Sequence, residues 1–359
     1  MPYQVISRLG LAMLALVLTA CASSPEKEAP PPLVFPPPPD QPRFVFERTL
    51  KFNEDVVIPD RAERFKRFAT GSPRKVRGLV KPFDVAAKDG KVFVTDTVQR
   101  KLVMFDVTGG HYLEIGDKAP GTLRKPMGVC ISSLNEVFVA DITARQIVVF
   151  DINGSFLRKL GRKEDFRRPT DVGISPDGKT LYVVDIGGVD TDQHHVVVMD
   201  ANTGKIKNII GKRGTADNEF NLPIQIDVAT DGSFYVVDKG NFRVKHFSPE
   251  GEYLGGFGQP GRVPGSFASP KGIAVGPDNN IYVVDSAFGN IQIFNPDFQL
   301  LMYLGTRGEA GYPAKYMLPA GVDVDPDGRI YMVDQFFRKV DIFYPYGMSP
   351  MPDIRHPAS

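Results

Sequence analysis

Regularly spaced carboxylates are the first residues in this 359-residue sequence that suggest chemistry. Six times, a short β-branched or aromatic run ends in aspartate. The six residues are Asp96, Asp141, Asp185, Asp238, Asp285 and Asp334. Six carboxylates could ligate a metal ion, but each one starts a turn, where aspartate accepts backbone N–H groups. Their presence in every copy also argues against a single catalytic site, so we interpret them as structural.

A second set of carboxylates follows the proline that precedes each of these runs. Two or four residues after that proline, the sequence places Asp84, Asp171, Asp227 and Asp323, with Gln225 among them. If these segments are the inner strands of a ring, the side chains line its axis, where oxygen ligands could bind Ca²⁺. The alternative is a water-filled channel with solvated carboxylates. No cofactor is expected, and Ca²⁺ is the candidate ion for this set of carboxylates.

Other catalytic groups are sparse. The chain has five histidines, and no three of them fall where they could share a zinc ion. His194 and His195, with Asp190 and Asp192, lie in an enlarged turn of the third copy, which is either a metal or binding loop or simply a longer solvated turn. No nucleophile elbow or phosphate-binding loop is present. We therefore assign no catalytic residue and favour a binding protein over an enzyme.

The elements that must position these residues form a sixfold repeat. Each copy contains an inner strand after its proline, the strand ending in aspartate, and a third alternating strand, and five copies add a fourth. Such units cannot bury a face alone, whereas stacking them radially buries both faces of each. We predict an all-β fold, a six-bladed β-propeller of four-stranded blades. The sixth copy lacks its fourth strand, and the alternating segment Phe44–Leu50 is predicted to close the ring.

One short inserted helix is predicted between the closing strand and the first blade. Asp60 and Glu63 form a capping-box pattern, which indicates a helix at about residues 60–70. Phe65 and Phe68 are expected to pack down onto the ring, and the basic residues of the helix are expected to remain exposed.

Two features of one face suggest a binding surface. In such blades the turns between second and third strands share a face with the connections between blades, and we call this the top face. The basic candidates there are Arg64, Arg67, Arg74, Arg167 and Arg168, and the aromatic candidates are Phe242, Phe288, Phe336 and Phe337. An exposed aromatic patch marks an interface, and a basic sector would steer an acidic partner. For the basic residues, ordinary solvated charge is the alternative.

The N-terminus has the pattern of an export signal. Arg8 precedes a short apolar run at residues 9–18, which is too short to span a bilayer. The following Leu-Thr-Ala-Cys resembles the bacterial lipoprotein cleavage box, which implies that residues 1–20 are removed and that Cys21 carries lipid, including palmitate. Ala22 in place of an aspartate implies the outer membrane and leaves its side open. Residues 21–42 contain nine prolines and are predicted to be an extended tether.

The fifth copy carries a family resemblance. Pro270–Val275, Ile281–Asp285 and residues 291–294 together resemble the NHL repeat, and the linkers 211–223 and 258–270 resemble its Gly/Phe-rich connection. The resemblance covers about residues 44–344 and implies a six-bladed propeller. We take residues 43–344 as one domain and residues 345–359 as a C-terminal tail. One fold hosts many activities, so the resemblance says little about function.

Composition narrows the function classes. Lys and Arg number 43 against 42 Asp and Glu, which argues against nucleic acid as a partner. The two cysteines exclude a disulfide framework.

The Pro-rich start resembles NHL lipoproteins whose relatives accompany multihaem c-type cytochromes, which implies an accessory role.

The predicted function is that of a monomeric, outer-membrane-anchored propeller. We expect it to act as a scaffold that binds an envelope protein or peptide. The alternative is a lactonase-like or lyase-like enzyme with an axial divalent metal. Six-bladed lactonases place Glu, Asn and Asp around a central Ca²⁺, and this chain has no Glu or Asn at those positions.

Overall fold

The repeat folds into six four-stranded antiparallel blades arranged in a ring. The structure is a computed structural model and describes residues 31–352 except residues 60, 74 and 189. The predicted signal peptide, Cys21, Arg74 and the end of the predicted tail lie outside the described residues. The blades belong to one compact unit that begins at Val34.

Two strands and one helix precede the first complete blade. They are β1 (Val34–Phe35), β2 (Phe44–Leu50) and α1 (Arg61–Thr70). Blade one contains β3 (Pro82–Lys88), β4 (Lys91–Asp96), β5 (Lys101–Asp106) and β6 (His111–Ile115). Blade two contains β7 (Pro126–Ile131), β8 (Glu136–Asp141), β9 (Gln146–Asp151) and β10 (Phe156–Leu160). Blade three contains β11 (Pro169–Ile174), β12 (Thr180–Asp185), β13 (His195–Asp200) and β14 (Ile206–Ile210).

The second half of the chain continues the pattern. Blade four contains β15 (Pro223–Val228), β16 (Phe234–Asp238), β17 (Arg243–Phe247) and β18 (Tyr253–Phe257). Blade five contains β19 (Pro270–Val275), β20 (Ile281–Asp285), β21 (Asn290–Phe294) and β22 (Leu300–Leu304). Two short parallel strands, β23 (Thr306–Arg307) and β24 (Lys315–Tyr316), lie in the following linker. Blade six contains β25 (Pro319–Val324), β26 (Ile330–Asp334) and β27 (Lys339–Pro345). Single 3-10 turns occur at Asn53–Asp55 and Lys239–Asn241.

The N-terminal strand closes the ring, as predicted. β2 pairs antiparallel with β27, with Phe44 opposite Pro345 and Leu50 opposite Val340. β1 adds a fifth strand outside β2, within the segment that the sequence suggested was tether. The described part of the predicted tail also returns to β2, since the Arg48 side chain donates to the Met351 carbonyl at 2.9 Å.

The hydrophobic core is divided into six clusters, one between each pair of neighbouring blades. Second and third strands are apolar on both faces because both faces meet another blade. In β12, for example, Leu181, Tyr182, Val183 and Val184 are all at most 2% exposed. This arrangement accounts for near-continuous apolar runs in place of strict alternation.

The repeated aspartates are clamps made of hydrogen bonds, which confirms their structural interpretation. In blade two, Asp141 Oδ1 accepts the N–H groups of Thr143 and Ala144 at 3.0 and 2.8 Å. Its Oδ2 accepts the N–H groups of Arg124 and Lys125, the two residues before the inner-strand proline. Each clamp therefore joins a turn between second and third strands to the linker that enters the same blade.

The helix forms at the expected residues, but its predicted packing is wrong. Phe65 and Phe68 are 71% and 87% exposed, where we expected them to pack down. The insertion leaves the ring near Asn53 and returns at Arg77, so the helix is held away from the blades. Within the described part of the chain, no helix has the length and apolar composition to cross a bilayer.

Candidate functional site

The clamps present two side chains from every blade at the top face. The aspartates hold the backbone of both residues before the inner-strand proline in five blades, and in blade four Asp238 holds Asn221 while His194 holds Leu222, so the pairs occupy equivalent places around the ring. In blades one to three the pairs are Val80-Lys81, Arg124-Lys125 and Arg167-Arg168. In blades four to six they are Asn221-Leu222, Ala268-Ser269 and Met317-Leu318. At these positions each of blades one to three displays at least one basic side chain, and blades four to six display only neutral or apolar ones.

The basic half, which we define as Lys81, Arg124, Lys125, Arg167 and Arg168, is exposed throughout. It includes the predicted residues Arg167 and Arg168 and adds three that sequence reasoning missed. The signal was present in the sequence, since these residues stand directly before the repeated proline.

Two predicted basic residues, Arg64 and Arg67, lie apart from this group on α1. Arg64 is exposed and Arg67 is half-buried. Arg74 is outside the described residues. The structure therefore separates the predicted basic residues into the basic half and a group on the helical insertion.

The aromatic candidates are less uniform than predicted. Phe336 is 59% exposed and contacts Phe337 edge to face, with ring centroids 5.1 Å apart. Phe242 and Phe288 are only half-buried, and Phe242 packs against the core between blades four and five. Within the described residues, no ring contact joins either of them to the Phe336–Phe337 pair. Tyr312, which sequence reasoning missed, is 70% exposed on the linker that touches Phe337 at Gly311.

Buried polar side chains hold the linkers of blades four to six. Lys245 of β17 is fully buried, and its Nζ donates to the carbonyls of Ala216, Asp217 and Glu219 in the linker above it. Gln292 of β21 likewise accepts from the Gly265 N–H at 2.9 Å and donates to a neighbouring carbonyl. The linkers are thereby fixed loops, which suits a surface that must present side chains in one geometry.

In blade six, Asp341 has the same role. Its Oδ2 accepts the Ala314 N–H at 3.0 Å and is paired with Lys339 Nζ at 2.6 Å. Lys339 also donates to the Tyr312 carbonyl at 2.7 Å. The exposed Tyr312 ring therefore sits on a linker whose backbone is tied to the core of the blade.

A half-buried lysine adds a further positive charge next to the top-face residues of blade five. Lys271 follows the inner-strand proline of blade five and is half-buried. Burial, reinforced by the nearby charges of Lys239 and Lys81, lowers the pKa of Lys271 to about 8. An anionic group bound beside Lys271 would offset the free-energy cost of keeping this charged side chain half-buried.

The axial carboxylates reach the axis as predicted, but each one engages the neighbouring blade. Asp84 Oδ2 accepts the Val129 N–H at 3.0 Å, from blade one to blade two. Equivalent bonds of 2.8, 2.7 and 2.6 Å run from Ile226 N to Asp171, from Val275 N to Asp227 and from Ala87 N to Asp323. Inner strands have an unpaired edge toward the axis, and these side chains satisfy its N–H groups. They therefore clip successive blades together.

Burial dominates the electrostatics of the axis. It raises the pKa of Asp84 to about 7 and that of Asp227 to about 6, and it raises the pKa values of Asp171 and Asp323 well above their usual range. Repulsion between Asp84 and Asp171 adds to the shift of Asp171. Some of these carboxyl groups are therefore protonated near neutral pH.

The axis contains two buried oxygens without hydrogen-bond partners, Asp171 Oδ1 and Gln225 Oε1. Glycines make room for these side chains, since a Cβ on Gly128 would lie 1.8 Å from Asp171 Oδ1. Toward the opposite face the channel widens into a cavity of about 460 Å³. Among residues 31–352 as described, no three His, Cys, Asp or Glu side chains are grouped so that they could hold a metal ion. The carboxylates fit an interblade clip better than a Ca²⁺ cage.

The enlarged turn of blade three also has structural contacts. His194 is buried, and its Nδ1 accepts the Leu222 N–H at 3.1 Å, so it holds the linker of blade four. Burial lowers the pKa of His194 and of its neighbour His195. Neutral, buried histidine suits a packing role at this position.

Comparison with known proteins supports the fold. A model of the NHL repeat matches residues 267–294. No curated protein matches the chain significantly. A structural genomics protein of unknown function from Bacteroides thetaiotaomicron is 15% identical, with a TM-score of 0.59 and coverage of 74% of this chain and 70% of that one.

Two further solved structures bear the names of enzymes. Kuenenia stuttgartiensis hydrazine synthase is 17% identical, with a TM-score of 0.55, covering 75% of this chain and 86% of that one. A streptogramin B lyase is 14% identical, with a TM-score of 0.55, covering 84% and 98%. At such identities the likeness shows the fold alone. This chain is a six-bladed β-propeller that carries an NHL repeat.

Proposed function

We propose that the protein is a binding scaffold that holds an acidic envelope protein or peptide on the top face of its propeller. The observation that carries this proposal is that the residues before the inner-strand prolines, held by the repeated aspartates, divide the top face into a basic half and a neutral or apolar half. Lys81 and the basic pairs of blades two and three stand on one half, while Leu222, Leu318 and the Phe336–Phe337 pair stand on blades four to six. A partner with an acidic segment beside apolar side chains matches both halves.

The two halves have different roles in binding. The basic half steers the encounter and fixes orientation, as charged surfaces do. Phe336 and Tyr312 supply aromatic anchors, the kind of residue that dominates binding energy at interfaces. The linker that carries Tyr312 is tied to Lys339, and the turn that carries Phe336 is held by Asp334. The anchors are therefore positioned before the partner arrives, which lowers the entropic cost of binding.

The location of the scaffold follows from the sequence pattern at Cys21. In this proposal a lipid on Cys21 anchors the protein in the outer membrane, and the propeller is a monomer. Multihaem c-type cytochromes are the partner class that the sequence resemblance suggests, with acidic loops and haem propionates facing the basic half.

Crosslinking in the native envelope, followed by mass spectrometry, tests the scaffold. The proposal expects one protein to crosslink through the top face, with loss of that product in Phe336→Ser/Phe337→Ser and in Arg167→Glu/Arg168→Glu. Lys179→Glu is the matched control, because Lys179 is exposed in a turn between first and second strands, on the opposite face. Crosslinks that persist in both top-face variants, or that disappear in the control, would contradict the proposal.

A second candidate, a lyase-like or lactonase-like enzyme with an axial divalent metal, rests on the unpartnered oxygens of Asp171 and Gln225. The structural likeness to a streptogramin B lyase is in keeping with it. A thermal-shift titration with Ca²⁺ and with Mg²⁺, paired with a lactone and ester substrate screen, tests it. A stabilisation that is lost in Asp171→Ala supports the enzyme; no shift at millimolar metal argues against it.

A further inference from the structure

The helical insertion is an arm on a fixed stem. We define the arm as residues 53–77. At its base, Asn53 N donates to the Arg77 carbonyl at 2.8 Å, and Asn53 Oδ1 accepts the Arg77 N–H at 2.8 Å. Just inside and outside this base, Val56 and Leu79 are buried in the core between blades six and one. The two ends of the arm are therefore held together and anchored in the ring.

The helix on this stem buries none of its described side chains. Arg67 is half-buried, and the other residues of α1 whose side chains are described are exposed. A ten-residue helix without a packed face is marginal in water, because helices of this length owe their stability to tertiary contacts. A surface outside this chain would therefore stabilise the helix.

The composition of the arm defines the chemistry of that surface. Phe65 and Phe68 are three residues apart, so they project from neighbouring positions on the helix. Between residues 61 and 77 the sequence has seven basic residues and a single acidic one, Glu63. Exposed aromatics flanked by Lys and Arg are the pattern of a helix that lies at a lipid–water interface, where the rings enter the acyl boundary and the cations meet anionic headgroups.

The small size of the helix favours lipid over a protein partner. Ten residues make a helix about 15 Å long. A specific protein interface buries about 800 Å² on each partner, more than two phenylalanines and their neighbours provide. A bilayer surface needs no complementary groove, and it accepts both rings and the flanking charges.

The arm also emerges beside the strand by which the chain enters the ring. β1 and β2 are the outer strands of blade six, and the arm follows directly from the end of β2. The arm and the entry strand thus share one blade of the propeller.

We propose that the arm binds an anionic membrane surface, with Phe65 and Phe68 inserted and the basic residues on the headgroups. This goes beyond the proposed scaffold in two ways. It adds a second membrane contact besides the lipid on Cys21, and it specifies which side of the propeller faces the membrane. Blade six then lies toward the bilayer, and the rest of the top face stays open to a partner.

Vesicle co-sedimentation of residues 22–359, which lack the predicted signal segment and the cysteine predicted to carry lipid, tests the arm without another membrane anchor. We expect binding to vesicles of phosphatidylcholine with phosphatidylglycerol and little binding to phosphatidylcholine alone. Phe65→Ser/Phe68→Ser and Arg64→Glu/Lys66→Glu should each weaken binding by about tenfold or more. Phe336→Ser is the matched control, because it removes an exposed ring of the top face and should leave vesicle binding unchanged.

Fluorescence gives a second measurement, because the sequence contains no tryptophan. Phe68→Trp introduces a single reporter on the arm, and its emission should shift to the blue when anionic vesicles are added. Phe336→Trp should not shift under the same conditions. Equal binding by the arm variants, or no blue shift of the Phe68→Trp emission, would overturn the proposal. If the protein with the unmodified arm does not bind vesicles, and the arm variants lose an envelope crosslink, then the arm binds a protein instead of a membrane.

Discussion

The two halves of the ring differ at one buried position of the third strand. Blades one to three place Val103, Val148 and Val197 there, and blades four to six place Lys245, Gln292 and Asp341 in the same register. All six side chains are at most 2% exposed. The valines fill the core between blades, whereas the polar side chains reach up to the linker.

This difference shows that one half of the ring can have fixed loops while the arrangement of all six blades stays the same. Where the third strand offers a polar side chain, the linker becomes a fixed loop, as in residues 211–222 and 258–269. Where it offers valine, the connections between complete blades are residues 116–125 and 161–168, without such a tie. The aspartate clamp is common to both halves, so the frame is constant and only the loops above it vary.

The largest expected change in unfolding free energy comes from removing an aspartate clamp, the feature that both halves of the ring share. Asp141→Ala in blade two and Asp285→Ala in blade five each leave several backbone N–H groups without an acceptor. Each should lower the free energy of unfolding by about 3–5 kcal/mol. Urea unfolding of the two variants measures it, and a large loss in one half with none in the other would break the comparison.

The next largest change is expected from replacing the buried polar residues of the third strands, which distinguish blades four to six from blades one to three. Lys245→Met removes the donor to three linker carbonyls and leaves Asp238, whose Oδ2 lies 3.6 Å from Lys245 Nζ, without that charge. We expect a loss of about 2–3 kcal/mol in unfolding free energy. Gln292→Leu should cost about 1–2 kcal/mol for the same reason. Lys207→Met, at an exposed lysine, is the control and should stay near the wild type.

The axis joins the halves, and its carboxyls should make stability depend on pH. Because the pKa of Asp84 is raised to about 7, the folded state holds its proton where the unfolded chain has lost it. That contribution is complete below about pH 4 and is lost as the pH rises to 7. His194, which is buried, and His246, which is half-buried, act with the opposite sign, since burial lowers their pKa values.

Asp84→Asn isolates this effect, since the amide cannot titrate and its oxygen can still accept the Val129 N–H. Relative to the wild type, the variant should gain about 1 kcal/mol in unfolding free energy for each pH unit between pH 5 and 7. Unfolding in denaturant across this range measures the difference. A constant difference would show that Asp84 is ionised throughout.

The smallest expected effect lies on the top face itself. Phe336→Ser and Arg167→Glu, one from each half, should each change the unfolding free energy by less than about 0.5 kcal/mol, because both side chains are exposed. Thermal and urea unfolding check this. A substantial loss in either variant would mean that the residue serves the fold, and the crosslinking result would then need a stability correction.

Much of the six-bladed architecture was predictable because each sequence pattern that indicates it is local and recurs in every copy. The proline, the aspartate and the alternating strands recur in every copy, and Phe44–Leu50 was the available partner for the unpaired third strand. The clamp was predictable for the same reason, since aspartate at the start of a turn accepts N–H groups wherever that turn occurs. The axial position of Asp84 and Asp171 followed from strand parity alone.

What could not be predicted depends on distances between repeats. The sequence places Asp171 at the axis, but only the stagger between blades brings its Oδ2 to the Ile226 N–H. Lys245 visibly interrupts an apolar strand, yet the carbonyls it binds belong to the preceding linker. The packing of Phe65 and Phe68 was wrong because the amphipathic pattern shows that a face exists, and the position of the stem decides whether the ring can cover it.

Ring closure also sets an order of events during biosynthesis. β2 emerges from the ribosome early, and its partner β27 is almost the last part of the propeller to be made. Thr49 and Asp341, which hydrogen-bond across this seam at 2.7 Å, are 292 residues apart in the chain. Contacts of such separation form late, and until then an open strand edge is a substrate for proteases and for aggregation. A copy that ends before β27 leaves β2 without its antiparallel partner, so its ring stays open.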